Sequence, residues 1–241
     1  MSENSRAIVA VGQRGVVASV TRQLTITEKL TSRIQAVQAL SEQNNSILQT
    51  ERMSEAEWHK KTEELKAEYL YCEENIPRLL SHALLWTQAM PENADAWYWL
   101  GRVYDNSDQR TKAIEAYQRT IRIKPENTYA WNWLGRDYQY TNQQDKAIEA
   151  FQQTIHIKPE NTFAWHWLGH AYYDSGQLNK AIEAFQEAIS IKPENALFWN
   201  DLGVAYGLNG QTSQIMEVYK HLKALDPARA EEFYTKFIAP K

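Results

Sequence analysis

The sequence predicts an all-α fold, a solenoid of stacked helix-turn-helix units, and three observations carry that expectation. First, Trp97, Trp131, Trp165 and Trp199 recur every 34 residues, in phase with Leu100-Gly101, Leu134-Gly135, Leu168-Gly169 and Leu202-Gly203. Second, Tyr104, Tyr138, Tyr172 and Tyr206 keep the same period, as do Pro91, Pro125, Pro159, Pro193 and Pro227. Third, apolar residues inside each unit fall at helical spacing, as at Trp97, Leu100, Val103 and Tyr104. So many features in phase identify a repeat architecture rather than one globular core.

The elements follow in chain order. Residues 1–53 form an N-terminal segment. Within it, 7–20 alternate weakly around Gly12-Gln13-Arg14-Gly15 and read as a small hairpin, which alone is marginal in water. Residues 21–50 hold an amphipathic helix with Ile26, Leu30, Ile34, Val37 and Leu40 as its stripe. Residues 54–90 read as a degenerate helical hairpin or N-terminal cap. Ser54 and Glu57 make a capping box there, and Trp58, Leu65, Tyr69 and Cys72 share one face. Leu79, Leu80, Leu84, Leu85 and Trp86 make its second helix strongly apolar.

Four repeats are expected at 91–124, 125–158, 159–192 and 193–226. Asn93, Asn127, Asn161 and Asn195 stand where each first helix begins and are suited to cap it. Each second helix carries an apolar face such as Ala113, Ile114, Tyr117 and Ile121, and a proline ends it by removing a donor. A single hairpin cannot bury such faces, so neighbours must stack. Residues 227–241 are expected to close the stack as a capping helix that begins at Asp226-Pro227.

The pattern W-x2-L-G-x2-Y…A-x3-F/Y…P at this period resembles the tetratricopeptide repeat (TPR), and it covers Pro91 to about Asp226. The resemblance implies a right-handed superhelix whose first helices line a concave groove, where family members hold peptides or partner proteins. The fourth unit departs from the family pattern, with Ile215 in place of the small Ala113, Ala147 and Ala181, and with Leu222 where the third unit has Ala188.

Composition excludes several functions. The chain has 30 acidic and 26 basic residues, a formal charge of −4, so it offers no general attraction to nucleic acid or anionic membrane. One cysteine in 241 residues precludes an internal disulfide framework and suits a reducing compartment, the cytoplasm. No apolar run reaches the roughly 20 residues that span a bilayer. No phosphate-cradling loop, nucleophile elbow or paired-cysteine motif is present, so the sequence reads as neither an enzyme nor a cofactor carrier.

The candidate working surface is a second series on the first helices. Trp99, Trp133 and Trp167 follow the motif tryptophans by two residues, about 200° around the helix. Arg102, Arg136 and His170 come three residues later, on the same face. Tyr129, Asn132, Phe163, His166 and Tyr173 complete the candidate ligand contacts, while Trp97, Trp131, Trp165 and Trp199 are expected in the core. Guanidinium groups grip carboxylates in pairs, so an acidic or C-terminal peptide fits as a guest. The arginines are equally suited to lie on the tryptophan rings of their own chain.

His166, His170 and Asp174 lie one turn apart and raise the question of a metal, but Trp167 stands where a metalloprotease helix has glutamate, and no metal is expected. Asp137 occupies a place that is apolar in the other units and needs a partner if buried.

The leading expectation is therefore a non-catalytic scaffold for a protein or peptide. Single-stranded nucleic acid stacking on the aromatic and arginine ladder is the alternative, although residues 91–226 hold 17 acidic and 13 basic side chains. Self-assembly through residues 7–40 is the other.

Overall fold

The structure, a computed structural model, describes residues 53–69 and 76–239. The hairpin expected at 7–20, the helix expected at 21–50, the oligomerising segment 7–40 and Cys72 lie outside the described residues, as do the side chains of Leu65 and Tyr69.

Among the described residues there are helices and no strands. They run α1 (Glu55–Tyr69), α2 (Ile76–Ala89), α3 (Ala94–Asn106), α4 (Arg110–Ile123), α5 (Thr128–Tyr140), α6 (Gln144–Ile157), α7 (Thr162–Asp174), α8 (Leu178–Ile191), α9 (Ala196–Leu208), α10 (Thr212–Leu225) and α11 (Pro227–Phe237). The chain divides into two compact units, the first holding α1 and α2 and the second the repeat array.

In the first unit, α1 starts at the expected capping box. The Ser54 amide donates to Glu57 Oε2 at 2.6 Å, and the Glu57 amide to Ser54 Oγ at 3.4 Å. Trp58 and Trp86 are both buried and lie parallel with centroids 6.1 Å apart. Beneath them Thr62 Oγ1 donates to the Trp58 carbonyl, which leaves its lone pair for His82 Nε2 at 2.9 Å. Burial lowers the His82 pKa to about 4, so this imidazole is neutral at pH 7.

In the array, local chemistry repeats as faithfully as the sequence. Asn93, Asn127 and Asn161 each accept the amide three residues on, and Asn195 accepts that of Leu197. These bonds satisfy amides that the first turn leaves without partners. At the turn between paired helices, Asp108, Asn142, Gly176 and Gly210 all take positive φ, between 57° and 74°. Asp, Asn and Gly are the residues that enter this left-handed region most readily, which explains why only they stand there.

Close approach of the two helices of a unit is set by a missing side chain. A Cβ on Gly101, Gly135 or Gly169 would come within 2.8 Å of Tyr117, Phe151 or Phe185 respectively, the buried ring of the same unit's second helix. Units are then stitched to one another. Gln118, Gln152 and Gln186 donate to the hydroxyls of Tyr138, Tyr172 and Tyr206 in the next unit at 2.7–3.0 Å. Lys112, Lys146 and Lys180 lie over the Tyr104, Tyr138 and Tyr172 rings.

The fourth unit breaks this register. Gly203 faces Phe233 of α11 and Val218, not Tyr219, because Val218 is larger than the Ala116, Ala150 and Ala184 of the other units. Phe233 thus supplies from the final helix the ring that the other units supply themselves. Ile215 and Leu222, the departures from the small-residue pattern, are buried in the same cluster.

The motif tryptophans depart from expectation. Trp97, Trp131, Trp165 and Trp199 are only partly buried. The indole N–H of the last three donates at 2.8 Å to the carbonyls of Pro125, Pro159 and Pro193. Trp165 and Trp199 also wall two outer grooves, of about 550 and 340 Å³.

Candidate functional site

The residues of the second series do converge along the first helices α3, α5, α7 and α9. Trp133 is held between two guanidinium groups, with Arg102 4.1 Å and Arg136 3.9 Å from its ring centroid. Arg102 also donates to the Tyr98 hydroxyl at 3.2 Å. Arg136 is anchored from below, donating to Asp105 Oδ2 at 2.7 Å.

The carboxylates under this stack explain Asp137. Asp105 and Asp137 are both buried, Asp137 completely. Asp105 takes Arg136 and Arg110, whereas the nearest donor to Asp137 is Arg110 Nη1 at 3.6 Å. Burial and the adjacent Asp105 charge push the Asp137 pKa up to about 8 against the pull of Arg136 and Arg110, so the pair carries a proton at neutral pH. Asp137 thus finds its nearest cation in Arg110 of the preceding hairpin, while the direct bond of Arg136 goes to Asp105.

Beside the stack runs an exposed apolar strip. Tyr129, Phe163 and Leu197 occupy equivalent places 34 residues apart and are 68, 39 and 41% exposed. Phe163 lies 6.4 Å from Trp133 and 5.8 Å from Trp167, and Tyr129 lies 6.4 Å from Tyr98, so the rings form two contact groups, one between α3 and α5 and one between α5 and α7. Trp99, Trp133 and Trp167 are half-buried at the edge of this strip. Asn132 is 6% exposed, and its carbonyl oxygen has no donor. Tyr173 is partly buried against the core of the third and fourth units.

Further along, His166 and His170 meet Asp201 of α9 rather than Asp174. Both imidazole Nε2 atoms approach Asp201 Oδ2, at 2.7 and 3.1 Å, and lie 3.1 Å from each other. Asp174 instead accepts from Gln139. Burial opposes the Asp201 charge, but the hydrogen bonds from His166 and His170 prevail and hold its carboxyl well below the usual range. Sequence reasoning missed Asp201 because it lies 31 and 35 residues from the histidines. Its signal was available: it stands where the other three units have Trp99, Trp133 and Trp167.

Among the described residues no helix is long and apolar enough to cross a membrane. A search of curated protein sequences gives no match. Tetratricopeptide-repeat models match residues 94–127 and 128–161, and a TPR-repeat model matches 169–210. Among solved structures, one of MamA is 26% identical with a TM-score of 0.59, covering 68% of this chain and 91% of that one. MamA from Desulfovibrio magneticus RS-1 is 18% identical, with a TM-score of 0.58 over 74% of this chain and 98% of its own. YrrB, described as a TPR protein with an unusual peptide-binding site, is 18% identical with a TM-score of 0.66, covering 80% of this chain and 97% of that one. With the repeat geometry above, these matches identify the array as tetratricopeptide repeats and the chain as a member of the TPR family.

Proposed function

We propose that the chain is a protein-interaction scaffold, acting by binding rather than turnover, and that it holds an extended peptide along the strip Tyr129–Phe163–Leu197. The observation that carries this reading is the strip itself. Three large apolar side chains stay exposed at one repeated position of the first helices. Exposed apolar rows rimmed by polar groups are the usual mark of an interaction surface. Trp133 and Trp167 flank the strip, and Arg102 supplies positive charge for a carboxylate, which suits an acidic or C-terminal peptide. A single cysteine is compatible with a reducing compartment, and the cytoplasm is the setting we propose.

Arg136 is a poor reporter of binding because its loss would leave Asp105 buried without its closest partner. Tyr129 and Phe163 are better. An immobilised set of acidic and C-terminal peptides is expected to retain the wild type and to lose Tyr129→Ser/Phe163→Ser at least tenfold, about 1.4 kcal/mol. Equal retention of both would remove the strip from the account.

A further inference from the structure

The junction of the third and fourth repeats holds a group that peptide binding does not use. His166 and His170 lie one turn apart on α7, and Asp201 comes from α9 across the repeat boundary. We propose that His166, His170 and Asp201 form a site for a divalent transition-metal ion, zinc being the best fit.

The proton accounting favours a cation. The three facing atoms, two Nε2 and one Oδ2, lie 2.7, 3.1 and 3.1 Å apart. A hydrogen bond between the imidazoles requires one bare nitrogen and one N–H. That N–H, turned to the other ring, is turned away from Asp201. If both nitrogens are protonated to satisfy Asp201, two N–H groups confront one another across the remaining edge. No arrangement of protons satisfies all three edges, whereas one ion at the centre uses all three lone pairs. In a tetrahedral zinc site with bonds of about 2.0–2.1 Å, neighbouring donor atoms stand about 3.3 Å apart. The two edges to His170 Nε2, at 3.1 Å, are close to that value, and the 2.7 Å edge between His166 and Asp201 would open by about half an ångström to seat the ion.

The surroundings are those of a built site. His166 and Asp201 have side chains only 10 and 14% exposed. Phe185 and Phe198 pack on the imidazoles, with centroids 5.2 Å from His170 and 4.7 Å from His166. Asn200 Nδ2 donates to Asp201 Oδ1, which leaves Oδ2 turned to the histidines. His170 is 32% exposed, so the open side lies there, and three protein ligands leave a fourth position for water or a donor from a bound partner.

The three changes also coincide at one place. The equivalent positions one unit earlier hold Asn132, Arg136 and Trp167, and two units earlier Tyr98, Arg102 and Trp133. Only at this junction do all three become ligand types. Two imidazoles and one carboxylate suit zinc, nickel, cobalt or copper better than calcium or magnesium.

The test uses the full chain stripped with chelator and titrated with zinc chloride by calorimetry, with cobalt(II) absorption as a second reading. One equivalent is expected, with visible cobalt bands of a four-coordinate nitrogen–oxygen site. His170→Gln and Asp201→Asn are each expected to weaken zinc binding by more than about 100-fold, beyond the 10–100-fold lost when only an outer partner is changed. Asp174→Asn should bind as the wild type does. His170 is the most exposed ligand, and His170→Cys, which keeps a donor, should recover the affinity that His170→Gln loses. Circular dichroism of each metal-free variant separates loss of ligand from loss of fold. Absence of zinc uptake by the wild type, or uptake unchanged in His170→Gln and Asp201→Asn, overturns the proposal.

Discussion

Single residues in this array are held by opposing physical demands, and Asp137 is the sharpest case. Its carboxyl has a folded-state pKa of about 8 against an ordinary 3.8. A raised carboxyl pKa contributes stability that is fully present below pH 3.8 and is lost as pH rises through 8. Asp137→Asn keeps the shape and removes the charge. It is expected to raise the melting temperature at pH 8 relative to pH 5, by about 2–4 °C for each kcal/mol recovered. A melting series across that range checks both the sign and the size. Gly169 is the steric counterpart. Its Cβ would fall 2.4 Å from Phe185, so Gly169→Ala is expected to cost roughly 1–3 kcal/mol in denaturant unfolding. At this scale the sequence made periodic residues legible, because each asparagine cap and each glycine seat recurs. Residues that break the period were harder. Asp201 drew no notice because its partners lie a whole repeat away, and Asp137 was recognised as needing a partner without showing that Asp105 would take the arginine first.

Helices are placed by the same logic until the last one. Their limits follow from asparagine caps and proline stops, and a last helix, α11, follows the fourth repeat. Less legible was how α11 earns its place: Val218 fills the space where other units have alanine, and Phe233 replaces Tyr219 against Gly203. That exchange depends on one side-chain volume and has no periodic signature. Phe233 is 2% exposed, so Phe233→Ala is expected to cost about 3–5 kcal/mol, as for other buried aromatic truncations. Chemical denaturation monitored by circular dichroism checks this. The motif tryptophans belong to this scale too. Their period announced a structural role, but the indole bond to a proline carbonyl ties Trp131, Trp165 and Trp199 to the unit boundary, and Trp165 and Trp199 also face the outer grooves.

As a whole molecule the array is a one-dimensional stack, in which each repeat answers mainly to its neighbours. One face of the first helices thus continues over several repeats, and the proposed binding surface is the exposed strip upon it. The most direct test is equilibrium binding of a retained acidic or C-terminal peptide to wild type, Tyr129→Ser/Phe163→Ser and Met216→Ser, whose residue is 46% exposed on α10 of the fourth unit. The account predicts at least a tenfold loss for the double variant and unchanged affinity for Met216→Ser. Undiminished binding by the double variant, or an equal loss in Met216→Ser, would contradict it.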